Sequence, residues 1–351
     1  HQYLYPKKYT EFVTKQRKEW LDNGHIKPFK EEHEGTNEYN NLLNPVAKIS
    51  GGVIEEGTCG VTKDLRGQNE NTKEPSYILP RVGDMLAKLQ GCKYFFEIDL
   101  KHAYHQIPLH KDSQKVTGFI GDDGVQYVWT VMVEGLKGAA AHIQLILDTA
   151  LAPVSEEVSC YVDNIMGGAA TPQDCGIKAR KVLQLLTKAN LRINPTKCKW
   201  CYTCIKFMGA LIDKDTCAID PVKVNVFQKM ERPKTGAQME SLLGFTNFIR
   251  DFIPLYACLV GPLEKMRKLK KILSQDWDNN GAEDVFEVLK KILTSAPVLS
   301  TIDWMLELYI GTDASQYGVG AVLYQIAPDG TIRYLDFAAK ALNTAQSNYP
   351  A

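Results

Sequence analysis

No run of about 18 apolar residues occurs in the chain, so a membrane-spanning helix is not expected. The first residues, HQYLYPKKYTEFVTKQRKEW, also lack the apolar core of a secretory signal. An initiator Met is missing: the chain starts at His1, which fits processing or a cut from a longer chain. Net charge is missing as well, because 41 Lys and Arg face 41 Asp and Glu. Proteins that grip nucleic acid usually carry a basic excess, since phosphate neutralisation dominates their affinity. Neutrality weighs against strong binding of that kind, although a basic groove balanced by acidic patches elsewhere stays open. The sequence shows no internal repeat and no low-complexity segment. Its Cys count is odd, nine, and without a signal segment reduced intracellular thiols are expected.

What is present suits a globular protein with more than one core: 351 residues, 44% hydrophobic and 23% charged. Two or three domains are expected. Apolar spacing predicts a helix over 9–24, ended by Asn23-Gly24. Residues 30–41 read as an acidic loop, 46–65 as strand-like pieces around Gly51-Gly52, and 79–89 as a helix. Strands are expected at 94–100 (YFFEIDL), 125–133, 158–165 (VSCYVDNI) and 207–212, and helices at 139–151, 173–189, 222–230, 239–252 and 283–293. The texture changes near residue 300. From there 306–310, 318–324 and 333–337 read as consecutive strands with Gly-rich and Asp-Gly turns.

Two of these strands carry a carboxylate in an apolar setting, Asp99 and Asp163. Burying an acid is costly unless a metal or partner neutralises it. Paired Asp on adjacent strands is one way to hold two Mg²⁺ for in-line nucleotidyl transfer. Either Asp alone can equally be a cap or turn residue. Cys198, Cys201, Cys204 and Cys217 form a C-x2-C-x2-C run with a distant fourth. Zinc or an iron–sulfur cluster is one reading. Small residues in a hairpin is the preferred one, because the third Cys lies too close for an ordinary zinc ribbon.

Taken in order, the segments resemble the reverse transcriptase of Gypsy-type LTR retrotransposons and related retrovirus-like elements. NEYNNLLNPVAKI resembles the entry to the fingers, and DLRGQN (64–69) the fingers motif before the palm. ILPRVGDMLAKLQGCKYFFEIDLKHAYHQIPLH, the most specific stretch, resembles the first catalytic motif with its upstream helix. VWTVMVEGLKGAAAHIQ resembles the second motif, YVDN the Tyr-x-Asp-Asp box, LRINPTKC the lysine motif and KFMGALID the next hairpin. KMERPKTGAQMESLLGFTNFIRDFIPLYACLVGPLEKM resembles thumb and connection. TDASQYGVGAVLYQ and LDFAAKALNTAQSNYP resemble the opening strands of RNase H.

The resemblance implies an α+β right-hand polymerase followed by a truncated RNase H-like α/β domain. Fingers and the start of the palm would occupy 1–95, the palm 96–216, thumb and connection 217–300, and an incomplete RNase H-like part 301–351. It implies RNA-directed DNA polymerase activity with Mg²⁺ or Mn²⁺, on an RNA or DNA template–primer and dNTPs, in the cytoplasm or nucleus and away from membranes. Asp99 and Asp163 would be the metal-holding carboxylates, helped by a carbonyl of Ile98 or Leu100. Tyr104 would lie under the incoming sugar and exclude the ribose 2′-OH. Lys197 would approach the triphosphate as a general acid, Asp64, Arg66 and Gly135 fall in substrate-binding motifs, and 207–212 would form the primer grip. Asp313 would be the first RNase H carboxylate.

The sequence also departs from the family pattern. Asn164 stands where the box has its second Asp; it keeps the shape, loses the charge and is a poor Mg²⁺ ligand. If that charge is worth about 3–4 kcal/mol, the rate falls by roughly 10²–10³. Gly60 stands where an Arg grips the triphosphate, Gly138 and Ala140 replace a polar residue and a Pro, and Glu134 places an acid near expected phosphates. One of four RNase H carboxylates is present, so RNase H activity is not expected, and a sheet without its helices would expose an apolar face. Three readings follow: a weak polymerase, a non-catalytic scaffold that binds protein or nucleic acid, and a decayed element.

Overall fold

The computed structural model describes residues 7–30, 37, 39–50, 53–73, 75–207, 209–278, 281–295, 299–315 and 318–342. Most of the acidic stretch at 31–36, the Gly51-Gly52 pair and the last nine residues, including most of the LNTAQSNYP segment, lie outside the described residues. The chain divides into two compact units that interleave along the sequence.

The first unit comprises 1–80, 97–166 and 180–198. Its helix Lys7–Asp22 stops at Asn23-Gly24, where Asn23 N–H bonds back to Glu19 O at 3.0 Å. β1 (Ile26–Pro28) follows, then the long hairpin of β2 (Leu42–Ser50) and β3 (Val53–Asp64). Asp64 pairs with Leu42 at its base, and Gly60 with Val46. A short helix, Arg66–Asn71, comes next. β4 (Tyr94–Asp99) leads into this unit, and β5 (Phe119–Ile120) and β6 (Gln126–Trp129) complete a β1-β6-β5 sheet. Val13, Trp20, Ile26, Leu43, Leu65, Phe119, Tyr127, Trp129 and Val133 pack into one core. Trp20 and Trp129 meet edge to face at 4.7 Å, a favoured aromatic geometry.

Helix Ala139–Leu151 buries Ala139, Ile143, Leu147 and Leu151, spaced four apart, as a one-sided helix must. The stretch 158–165, expected as one strand, is instead a tight hairpin: β7 (Val158–Tyr161), a turn at Val162-Asp163, and β8 (Asn164–Ala169). The continuous apolar pattern hid the turn because both strands are buried and no Gly or Pro punctuates it. The second unit (81–96, 167–179, 199–351) begins at the helix Val82–Ala87 and takes up the far ends of β4 and β8. β9 (Lys199–Tyr202) closes a sheet of order β7-β8-β4-β9.

Further along, β10 (Cys204–Phe207), β11 (Ala210–Asp213), β12 (Thr216–Ile219) and β13 (Leu299–Ser300) form an antiparallel sheet. The expected single strand at 207–212 instead takes in the end of β10 and most of β11. Helix Pro221–Gln228 is capped by the Asp220 carboxylate, which accepts from Val222 N–H at 3.1 Å. Helices Gly236–Phe248 and Ala282–Ser295 pack around Phe227 and Phe286. Finally β14 (Tyr309–Ser315), β15 (Gly318–Ile326) and β16 (Ile332–Ala341) form a meander. Ile310 on it is 71% exposed. Among the described residues, no helix is long and apolar enough to cross a membrane.

Candidate active site

Strands β4 and β8 are neighbours, and Leu100 N–H donates to Asp163 O at 3.1 Å. Asp99 at the end of β4 is thereby brought beside Asp163 in the β7–β8 turn. Val162, in that turn, sits in the left-handed region (φ 56°), which a β-branched residue enters only at a cost. Buried Gln144 holds it there. Its Oε1 accepts from Val162 N–H at 2.8 Å and its Nε2 donates to Cys160 O at 3.0 Å. Asp148 accepts from the same amide at 2.9 Å and also from the Tyr77 hydroxyl.

A second strap reaches Asp99 from residues 192–198. Asn194 N–H donates to Asp99 O at 2.8 Å, and Lys101 N–H to Arg192 O at 3.0 Å. Gln106 closes the strap: it donates to Arg192 O at 2.9 Å and accepts from Arg192 N–H at 2.6 Å. The turn after Asn194 delivers Lys197, whose Nζ stands 3.6 Å from Asp99 Oδ2. Burial pushes the Asp99 carboxyl above its ordinary range; Lys197 opposes this, and the like charges of Asp163 and Glu97 add to it. Tyr104, on a short 3₁₀ turn (Ala103–Gln106), is half-buried. Burial raises its hydroxyl, and Asp163 and then Glu134 reinforce the shift.

Asn164 Nδ2 donates to Glu97 Oε1 at 3.0 Å. Its Oδ1 is buried without a protein partner. Asp99 and Asp163, with the side-chain oxygen of Asn164, are hard oxygen donors of the kind that suits Mg²⁺ or Mn²⁺. An orphaned buried acceptor is a group that a cation or water satisfies. Among the described residues, no group of three or more His, Cys, Asp or Glu is arranged to hold a metal ion. The residues therefore fit a divalent cation through two carboxylates, not three.

Asp64 and Arg66 form a second cluster. Arg66 grips Asp64 through Nε–Oδ1 (2.9 Å) and Nη2–Oδ2 (2.6 Å), and these bonds hold the half-buried carboxyl down to about 2. Asn69 ties this cluster to Gly135, donating to Gly135 O at 2.8 Å and accepting from Lys137 N–H at 2.7 Å. Gly138 caps helix Ala139–Leu151 with φ 84°, and a Cβ there would meet Pro75 at 2.7 Å. The residue that departs from the family pattern at 138 is thus the one this turn accepts. Asp313 on β14 is exposed and pairs with Gly320.

The three cysteines of the C-x2-C-x2-C run and the distant Cys217 differ in their surroundings. Cys198 Sγ donates to Asn194 O at 3.2 Å and Cys201 Sγ to Pro172 O at 3.7 Å. Cys204 is exposed, and burial pushes the Cys217 thiol up to about 12. Cys201 instead neighbours Cys175.

Sequence reasoning missed Gln144, Gln106, Asn69 and Glu97. The first three are polar residues whose work is to satisfy backbone groups at turns. A buried Gln inside the apolar 139–151 helix was the available signal.

Residues 59–212 match the family described as reverse transcriptase (RNA-dependent DNA polymerase). Residues 277–351 match the RNase H-like domain found in reverse transcriptase. The Tf2-7 and Tf2-3 transposon polyproteins of Schizosaccharomyces pombe are each 33% identical over 298 residues, 84% of this chain and 22% of their own length. The chain therefore spans about a fifth of these curated relatives. Among solved structures, the foamy viral protease-reverse transcriptase in complex with double-stranded DNA covers 100% of the chain and 59% of its own, with TM-score 0.79 and 21% identity. The same viral protein in complex with RNA/DNA hybrid gives TM-score 0.75 at 21% identity and is covered over 45% of its length.

Proposed function

The chain belongs to the reverse transcriptases of LTR-retrotransposon polyproteins, and we propose that it carries an RNA-directed DNA polymerase centre at Asp99 and Asp163, slowed by Asn164. The observation that carries this reading is the convergence of the two carboxylates from neighbouring strands, joined through the Leu100–Asp163 backbone bond. A bound Mg²⁺ or Mn²⁺ would neutralise the developing charge of nucleotidyl transfer, and Asp99 and Asp163 would hold it. Lys197 partly offsets the Asp99 charge before any cation arrives, and Gln144 and Gln106 fix the two backbones so that the carboxylates need not reorganise. Tyr104, which feels the charge of Asp163, would meet the sugar of an incoming nucleotide. Fingers and early palm at 1–95, palm at 96–216, thumb and connection at 217–300, and an RNase H-like part from 301 form the proposed division. The ligands would be template–primer and dNTPs, by analogy with the nucleic-acid complexes of the foamy viral protein.

A second reading, a non-catalytic scaffold for protein or nucleic acid, is favoured by Asn164 and by Gly60 at the triphosphate position. Primer extension on an RNA template with Mg²⁺ and then Mn²⁺ separates the two. Slow incorporation that disappears in Asp99→Ala and Asp163→Ala is expected. Silence of the unmodified chain with both ions would favour the scaffold.

A further inference from the structure

We propose that Glu97 is the positioning partner of Asn164, so that the centre carries a matched Glu97–Asn164 pair where a lone second carboxylate would stand. The inference rests on the polymerase reading above for its function, but not for its geometry.

Strand alternation puts Glu97 and Asp99 on the same side of β4. Neighbouring β8 opens with Asn164, and the two side chains meet at 3.0 Å. A carboxylate has only acceptors, so only the Nδ2 of the amide can face it. Glu97 therefore dictates which way the Asn164 amide points. Oδ1 is left as the acceptor, buried and without a protein donor. That is the role of an outer group that orients a metal-facing oxygen. The negative charge missing at 164 is present one hydrogen bond away.

The pairing changes what the simplest repair would do. Asn164→Asp alone removes the Nδ2 donor and sets a second carboxylate against Glu97 at hydrogen-bond distance. Glu97→Gln combined with Asn164→Asp turns the hydrogen bond around: the amide introduced at 97 donates to the carboxylate introduced at 164.

The experiment is a double-variant cycle on the full chain: the unmodified protein, E97Q, N164D and E97Q/N164D. Melting is followed in metal-free buffer, and Mn²⁺ binding is followed by the resonance of the free ion. N164D is expected to melt lower by roughly 2–6 °C, and the double variant to return to the unmodified value. E97Q keeps a neutral hydrogen bond and melts normally, but weakens Mn²⁺ binding by roughly tenfold, which the double variant restores. A purely structural role for Glu97 would leave Mn²⁺ affinity in E97Q unchanged, and that result would overturn the positioning role. N164D melting at or above the unmodified chain, or a double variant no better than N164D, would overturn the pair. Asp99→Ala serves as the control for the underlying reading. If it leaves Mn²⁺ binding intact, the polymerase centre is wrong while the melting cycle still decides the pair.

Discussion

At the scale of single residues, the chain keeps several ionisable groups in places where charge is expensive. His105 is the clearest case. Its ring lies 5.3 Å from Trp129 and 4.9 Å from His25, and its Nε2 is buried without a partner. Burial, with Lys63 and the neighbouring His rings adding to it, pushes its pKa down to about 3 from 6.5. The folded ring is then neutral where the unfolded one takes up a proton. Stability from this group is complete above the unfolded value and is lost as pH falls from 6.5 towards 3. Between about pH 7 and 5 the unmodified chain should lose about 1–2 kcal/mol more than His105→Phe, measured by urea unfolding with Trp fluorescence. Equal slopes for the two proteins would mean that the ring is charged when folded. Lys63 belongs to the same cluster: its Nζ lies 3.8 Å over the Trp129 ring, and burial brings it down to about 8. None of this shows in the sequence, where His105 is one polar residue in KHAYHQ.

At the scale of elements, the β7–β8 hairpin depends on the Ala139–Leu151 helix. Gln144 satisfies the Val162 amide and the Cys160 carbonyl, and Val162 is otherwise held in a conformation it disfavours. Gln144→Leu should cost about 2–3 kcal/mol, because it leaves buried backbone groups unpaired. Hydrogen exchange at the Val162 amide should speed up with it. Unchanged protection there would show that the turn is held by its own strands. The elements themselves were largely legible. Helix 139–151 and strands near 94–100 and 318–324 follow directly from apolar spacing. The β7–β8 hairpin was not, since Asp163 and Asn164, common turn residues, lie within an otherwise apolar run that no Gly or Pro interrupts before Gly167. Short strands such as β9 and β12 were also hidden: four residues are too few to show a period.

At the scale of the whole molecule, charge is balanced in sum but not in distribution. Lys265, Arg267, Lys268, Lys270 and Lys271 are all exposed on one stretch of the second unit. Backbone bonds fix that stretch against the start of helix Gly236–Phe248: Gly236 N–H to Leu269 O at 2.8 Å, and Ile272 N–H to Lys234 O at 3.0 Å. A Cβ at Gly236 would lie 2.4 Å from the Arg267 and Leu269 carbonyls, so the close approach requires glycine. Arg267 is engaged by Glu240 and Glu264. If the chain binds duplex, Lys268→Glu with Lys271→Glu should flatten the salt dependence of affinity by about 2 in log–log slope, near 0.9 per lost phosphate contact. An unchanged slope would place the duplex elsewhere.

The order of motifs along the chain determined the family, and it singled out Asp99, Asp163 and the uncharged Asn164 as candidates, because these are properties of residue type and spacing. Only the tertiary structure decided what surrounds them. That Lys197 meets Asp99, that Asn69 joins Asp64 and Arg66 to Gly135, and that Glu97 answers Asn164 are contacts between residues far apart in the chain. Two strands distant in sequence become neighbours only when the sheet forms. The interleaving of the two compact units has the same cause: β4 and β8 each run from one unit into the other, and no local pattern of residues marks such a crossing.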